Sequence, residues 1–396
     1  MRVDRILRSV VQACRSIHGA RLLALVAAVE SVVRGGRLTL TGIGRSYAPG
    51  RTTPKHSIKR ADRLVGNQRL WSERMTILRA LAMYLVRGVL RPVVLVDWTG
   101  VGHKQWALVA AVPVAGRAIP ILFEVHAQRR YGNAAVQKRF VQQLHAILPQ
   151  RSRPIVVADA GFPRRFWREL DALGWGFVIR VRGSHLRLGP TRIPIRKWFA
   201  QATAFARELG SQVLCARDDM QFRAVLGAKP ISFGRRKSDY QRDKAAEPWL
   251  LATNLWRHSA SEIVALYASR MKIEEVFRDT KSPRYGWAFD YARSRSSERL
   301  ETLLLIGAVA IFACVVAGLV GERLALTRKL QANTVRDRRV ISVFQVGRWL
   351  LTDTIGFSSS TSIGSITAAM RAEQNLLSPS LPNGSSWNCE LVTLLL

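Results

Sequence analysis

The chain has 396 residues, 48% of them hydrophobic, enough for a substantial core and for about two or three domains. Lysine and arginine number 61 against 27 acids, giving a formal charge of +34. So large an excess, spread along the chain, implies a polyanionic partner: nucleic acid first, then an anionic membrane surface or a ribosomal structural role. The four cysteines, Cys14, Cys215, Cys314 and Cys389, form no C-x-x-C pair. They speak against a disulfide scaffold or a zinc site and fit a reducing cytoplasm.

Residues 1–90 read as basic helices: Arg21–Val33 broken at Gly35-Gly36, then Ser57–Val65, then Leu70–Val86. Short glycine breaks between arginine- and lysine-loaded helices suggest a helix-turn-helix-like DNA-binding domain, with a plain basic bundle as the alternative. At Arg91 the texture changes. "PVVLVDWTG" is a short β-branched run ending at Asp97, the pattern of a buried central strand. Gln105–Val112 and Ala118–Val125 complete a meander around the turn "PVAGR", and a helix over Ala134–Leu148 follows. "PIVVADAGF" then repeats the first strand's design and closes on Asp159, ahead of a helix at Arg164–Leu173 and the strand "WGFVIRVRG".

From Ser184 to about Asn254, short strand-like pieces around the basic loop Gly234–Glu247 read as a β-rich insertion. One helix is expected over Ser261–Lys281, stopped by Pro283, and another across 331–351. Between them, Leu303–Gly321 is uncharged and just long enough to cross a bilayer. A fully buried core helix has the same composition, and with no second span in the chain that reading is preferred. The tail from Phe357, rich in Ser, Thr and Asn, is expected to be disordered.

Tyr267, Arg270, Glu274 and Lys281 follow a Y-x2-R-x3-E-x6-K spacing. At ~100° per residue all four fall within a stripe ~60° wide, whereas Glu275 and Asp279 lie well outside it. A solvated charged face and a functional wall both remain open at this point. Asp97, Asp159 and Glu274 are then three carboxylates, two at strand ends and one on a helix. Carboxylates with retained water are the ligand set for Mg²⁺, and a two-metal site is suited to phosphodiester cleavage. His103, Glu124, His126 and Glu275 show no spacing of a metal pair or triad and are expected to be supporting or surface residues. There is no G-x-x-x-x-G-K-[ST] loop, which argues against ATP use.

With "LVDWT", "VVADAGF" and the Tyr-Arg-Glu-Lys spacing on the page, the chain resembles the bacterial insertion-sequence DDE transposases bearing the YREK signature. The tetracycline-resistance composite-transposon type is the nearest, through "LTLTGIGR", "EPWLLATNL", "EEVFRDTKSPRYG" and "QANTVRDR". The similarity runs from about residue 35 to 340. It implies an α/β fold: a ribonuclease H-like catalytic core, a mixed sheet with flanking helices, interrupted by the β-rich insertion. The expected division is a helical DNA-binding domain (1–90), core (91–183), insertion (184–255), core with the YREK helix (256–325), and a C-terminal helix and tail (326–396).

The resemblance further implies cut-and-paste transposition by nicking, hairpin formation and opening, and strand transfer. Asp97, Asp159 and Glu274 would be catalytic and bind two Mg²⁺ ions, with Mn²⁺ able to substitute. Tyr267, Arg270 and Lys281 would hold DNA phosphates, and Trp249 would stack on a base turned out of the duplex. The implied partners are double-stranded DNA, as terminal inverted repeats and target, and a second copy of the chain in a synaptic dimer. No membrane is expected, and the location would be the bacterial cytoplasm at the nucleoid. The alternative is a catalytically inactive, DNA-binding relic of such an enzyme.

Overall fold

The computed structural model describes residues 2–47, 52–182, 185–188, 191–210, 213–215, 218–227, 247–335 and 338–352. The basic loop at 234–246 and the tail from Phe357 lie outside the described residues.

Three strands form the expected meander: β1 (Val93–Gly100), β2 (Gln105–Val114) and β3 (Arg117–Ala127). The β2–β3 turn places Ala115 and Gly116 at φ 46° and 78°. Two successive positive φ values match the right-handed twist of a two-residue hairpin. Helix α6 (Ala134–Ile147) crosses over to β4 (Ile155–Ala158), and α7 (Arg164–Ala172) leads to β5 (Gly176–Arg180). β4 runs parallel to both β1 and β5. Such strands are covered on both faces, which explains the unbroken apolar runs in "VVLV" and "IVVA".

The segment read as an insertion is continuous with this sheet at its far end. β11 (Leu250–Thr253) pairs antiparallel with β5, and β10 (Asp218–Leu226) pairs with β11. The mixed sheet therefore runs β3-β2-β1-β4-β5-β11-β10-β8, ending on the two-residue β8 (Arg207–Glu208), with β9 (Val213–Cys215) alongside β10. Only the hairpin of β6 (His185–Leu188) and β7 (Thr191–Pro194) forms a separate sheet among the described residues.

The apolar stretch is the middle of a helix at Ser297–Arg323. It is the one helix among the described residues long and apolar enough to cross a membrane, and 89% of its apolar window is buried within the fold. It packs on β3, on the N-terminal helices α1 (Val3–Ala13), α2 (Gly19–Gly35) and α5 (Gln68–Val86), and on a C-terminal helix at Val343–Leu351. One hydrophobic cluster runs continuously from Val3 to Phe344 through all of these. The long helix meets the C-terminal one at backbone distance. A Cβ on Gly347 would strike the Cys314 carbonyl, and one on Gly318 would strike that of Val343.

Near its start, the long helix also covers the sheet's edge. Glu301 is 5% exposed; one carboxylate oxygen accepts from the Val125 N–H of β3 at 2.8 Å, the other from Trp71 Nε1 of α5 at 2.6 Å.

Two expected helices differ. Among the described residues of the expected 331–351 helix, Val343–Leu351 alone is helical. Upstream, Gln331 bonds the backbone of Val335 and Val340, while Arg339 pairs with Glu322 and caps the Ala115 carbonyl. Those long-range partners hold the segment out of a helical path. The expected helix over Ser261–Lys281 is two helices, Ala260–Ala268 and Met271–Lys281, meeting at Ser269–Arg270. Ser269 Oγ donates back to the Leu266 carbonyl at 2.6 Å, and the N–H groups of Arg270, Lys272 and Ile273 bond three residues back rather than four. Side-chain back-bonding and tightened turns of this kind bend helices.

Candidate active site

The β1–β4 register pairs Val96 with Ala158, so the next residues, Asp97 and Asp159, stand side by side where β4 ends. In open sheets with parallel strands, ligand chemistry gathers at that carboxyl edge. The Glu274 helix crosses this edge, with Ile273 and Val276 buried in the core and Glu274 turned outward. Glu275 turns away, to Arg117 at 3.4 Å and Arg278.

Arg270 lies between the acids. Its Nη1 is 3.1 Å from Asp97 Oδ2 and its Nη2 is 2.5 Å from Glu274 Oε1. Tyr267, 2% exposed, donates its hydroxyl to Asp159 Oδ1 at 3.0 Å. The half-buried Trp249 meets the Tyr267 ring edge-on at a 4.9 Å centroid distance. Lys281, further along, donates to Thr99 Oγ1 at 2.9 Å and to the Gly100 carbonyl at 3.1 Å. Tyr267, Arg270 and Glu274 thus converge with the two aspartates, while Lys281 reaches the same strand a few residues beyond.

Electrostatics divides the two aspartates. Burial pushes Asp97 up to about 6, with Asp159 and Glu274 adding to the rise against Arg270 and the Trp98 N–H. Burial acts the same way on Asp159, but there the Ala160 N–H, Arg270, the Tyr267 hydroxyl and Arg182 outweigh it and hold the carboxyl below its ordinary value. Burial pulls the Lys281 ammonium down. The Arg270 guanidinium, although desolvated, is held more firmly protonated by its anionic neighbours.

Two residues beyond the sequence reading join the site. Thr99 lies two positions after Asp97, and the alternation of a strand puts both on one face. Arg182, exposed just after β5, contributes positive potential at Asp159. Strand periodicity carried the signal for the first; nothing local carried it for the second. Glu124 and His126 sit elsewhere, buried and paired at 3.0 Å, with Arg139 also on Glu124. His103 lies exposed in the β1–β2 turn.

Three mutually repelling carboxylates on adjacent elements are a donor set of the chemistry a hard divalent cation needs. In the folded arrangement, however, no group of three or more His, Cys, Asp or Glu among the described residues closes on a single ion position. Arg270 takes the carboxylate oxygens of Asp97 and Glu274 instead.

No curated protein matches the chain. Residues 90–312 match the transposase DDE domain, a span that holds the meander, Asp97, Asp159, the Glu274 helix and the first half of the long helix. That span is more than half of the chain, which therefore belongs to the DDE transposases, metal-dependent nucleases and transesterases that act on DNA.

Proposed function

We propose that this chain moves an insertion sequence by cut-and-paste transposition, as a member of the YREK-signature group near the tetracycline-transposon type. The observation that carries the reading is the in-register pair Asp97 and Asp159, facing Glu274 through Arg270. Asp97, Asp159 and Glu274 would hold two Mg²⁺ ions, or Mn²⁺ in their place, whose chemistry is to activate an attacking oxygen and stabilise a leaving one. Arg270, Tyr267 and Lys281 orient the phosphates around the bond to be broken, with Arg270 supplying a planar two-point fork. The hydroxyl freed by the first nick then attacks the opposite strand to give a hairpin, which water reopens before the 3′ ends join the target. Trp249, beside Tyr267, offers a ring face to an unstacked base, an interaction of ~1–3 kcal/mol.

The basic helices of 1–90 serve as the DNA-binding domain, two copies of the chain bring two ends together, and the work takes place in the bacterial cytoplasm. The test is incubation with Mg²⁺ and a duplex carrying the element's own inverted repeat. Nicks, hairpins and excised ends are expected with the wild type and none with Asp97→Ala, Asp159→Ala or Glu274→Ala. Cleavage that survives Glu274→Ala but is lost in Glu275→Ala would sink the assignment. Trp249→Ala is expected to keep nicking and lose hairpin formation; equal loss of both would mean a purely structural indole.

A further inference from the structure

Arg270 is placed unlike an ordinary surface arginine. Its side chain is 11% exposed and forks across two acids from different elements, Asp97 on β1 and Glu274 on the following helix. Its third donor, Nε, is buried with no hydrogen-bond partner. It also sits at the break between the Tyr267 and Glu274 helices, where the backbone bonds run three residues back instead of four.

We infer that Arg270 is an internal counter-ion: in the DNA-free protein it holds the carboxylate oxygens that a metal ion would otherwise take, and it surrenders them when a DNA phosphate engages the guanidinium. The inference rests on the reading of Asp97, Asp159 and Glu274 as the metal-binding set.

Its physical basis is competition for the same lone pairs. Three carboxylates partly removed from water repel one another and require positive charge nearby. A guanidinium fits that need with good geometry, since its fork matches carboxylate oxygens directly. While it does so, those oxygens are turned to Arg270, and no described group of acids closes around an ion. A phosphate suits the fork as the acids do, and it can use the unmet Nε together with one Nη. Rotation of Arg270 towards phosphate frees Asp97 and Glu274 together. Metal loading is thereby made conditional on DNA, and an empty enzyme is kept from assembling a hydrolytic site.

Mn²⁺ binding, followed by electron paramagnetic resonance of the free ion at pH 7.5, tests this without reference to turnover. Wild type without DNA is expected to bind Mn²⁺ about tenfold or more weakly than Arg270→Gln. Arg270→Lys, which keeps the charge but loses the fork, should fall between them and guards against a misfolded Gln variant; melting curves of all three report folding. Adding a duplex should tighten Mn²⁺ binding to the wild type beyond that of Asp97→Asn with the same duplex, which accounts for ions held by the DNA itself. Tight binding by the DNA-free wild type, equal to Arg270→Gln and abolished by Asp97→Asn, overturns the counter-ion role and leaves the metal-site assignment standing. No Asp97-dependent binding by any variant, with or without DNA, defeats the assignment itself, and the inference with it.

Discussion

Asp97 and Thr99 point to the same face of β1, so one strand supplies both a half-buried carboxylate and the hydroxyl that receives Lys281 at 2.9 Å. Replacing Thr99 by Val leaves the half-buried ammonium with the Gly100 carbonyl as its remaining hydrogen-bond partner among the described residues. Loss of a partner to such a donor costs ~1–3 kcal/mol, so Thr99→Val is expected to lower the urea midpoint, and less so in a Lys281→Met background. Equal losses in both backgrounds would mean that the contact contributes nothing. His258 gives the pH-dependent counterpart. Burial, then Arg91 and Arg223, hold its ring below the usual imidazole range, and its Nδ1 is buried without a partner. A folded-state value below the unfolded one means stability is complete above the unfolded value of about 6.5 and is lost as pH falls through and below it. Urea midpoints should therefore drop on the acid side of pH 6.5 in the wild type and drop less in His258→Gln. Much of the site was legible at this scale. The ends of two apolar runs marked Asp97 and Asp159, although β1 itself continues past Asp97 to Gly100, and helical angle separated Glu274 from Glu275. The hold of Arg270 on two acids was not legible, because it depends on how β1 and a helix far along the chain come together.

At the scale of elements, apolar periodicity located the meander, β4, β5 and the two crossover helices to within about three residues at each end, since buried parallel strands leave little freedom in composition. It failed where tertiary partners overrule local preference. Ser269 and Arg270 break a stretch whose pattern is helical throughout, and Arg339, paired with Glu322, lies outside the helix that its sequence suggests. The segment read as an insertion shows the same limit: β10 and β11 are strand-like in sequence, but nothing in them states that they extend the core sheet. The close approach of the long helix to Val343–Leu351 was equally hidden, although its glycines were in view. Gly347→Val must push that helix away from the Cys314 carbonyl, and a cost of at least ~1–3 kcal/mol is expected for such overpacking. Thermal denaturation against wild type measures it; an unchanged midpoint would mean that the two helices separate freely.

For the molecule as a whole, composition announced a polyanion partner without saying where it lies. One groove offers an answer. It is lined by Thr39 and Thr41 on the N-terminal side and by Arg293, Ser294, Arg295 and Arg299 on the approach to the long helix. Arg299 pairs with Asp62, whereas Arg293 and Arg295 are exposed and show no carboxylate partner among the described residues. If each holds one phosphate, Arg293→Ala with Arg295→Ala should reduce the magnitude of the slope of log K against log salt by ~1.8. The exposed pair Arg328 and Lys329, outside both the groove and the 1–90 helices, should leave the slope unchanged; identical effects from both pairs would reduce the groove to undirected attraction. The sheet's two margins bear on assembly as well. At one, Glu301 fills the Val125 N–H while the long helix lies over β3; at the other, among the described residues, β8 offers two residues and β9 three. A covered margin and a very short one both discourage strand addition. For the proposed pair of copies across two DNA ends, these margins favour contacts through helices, loops or the DNA itself over a sheet shared between the copies.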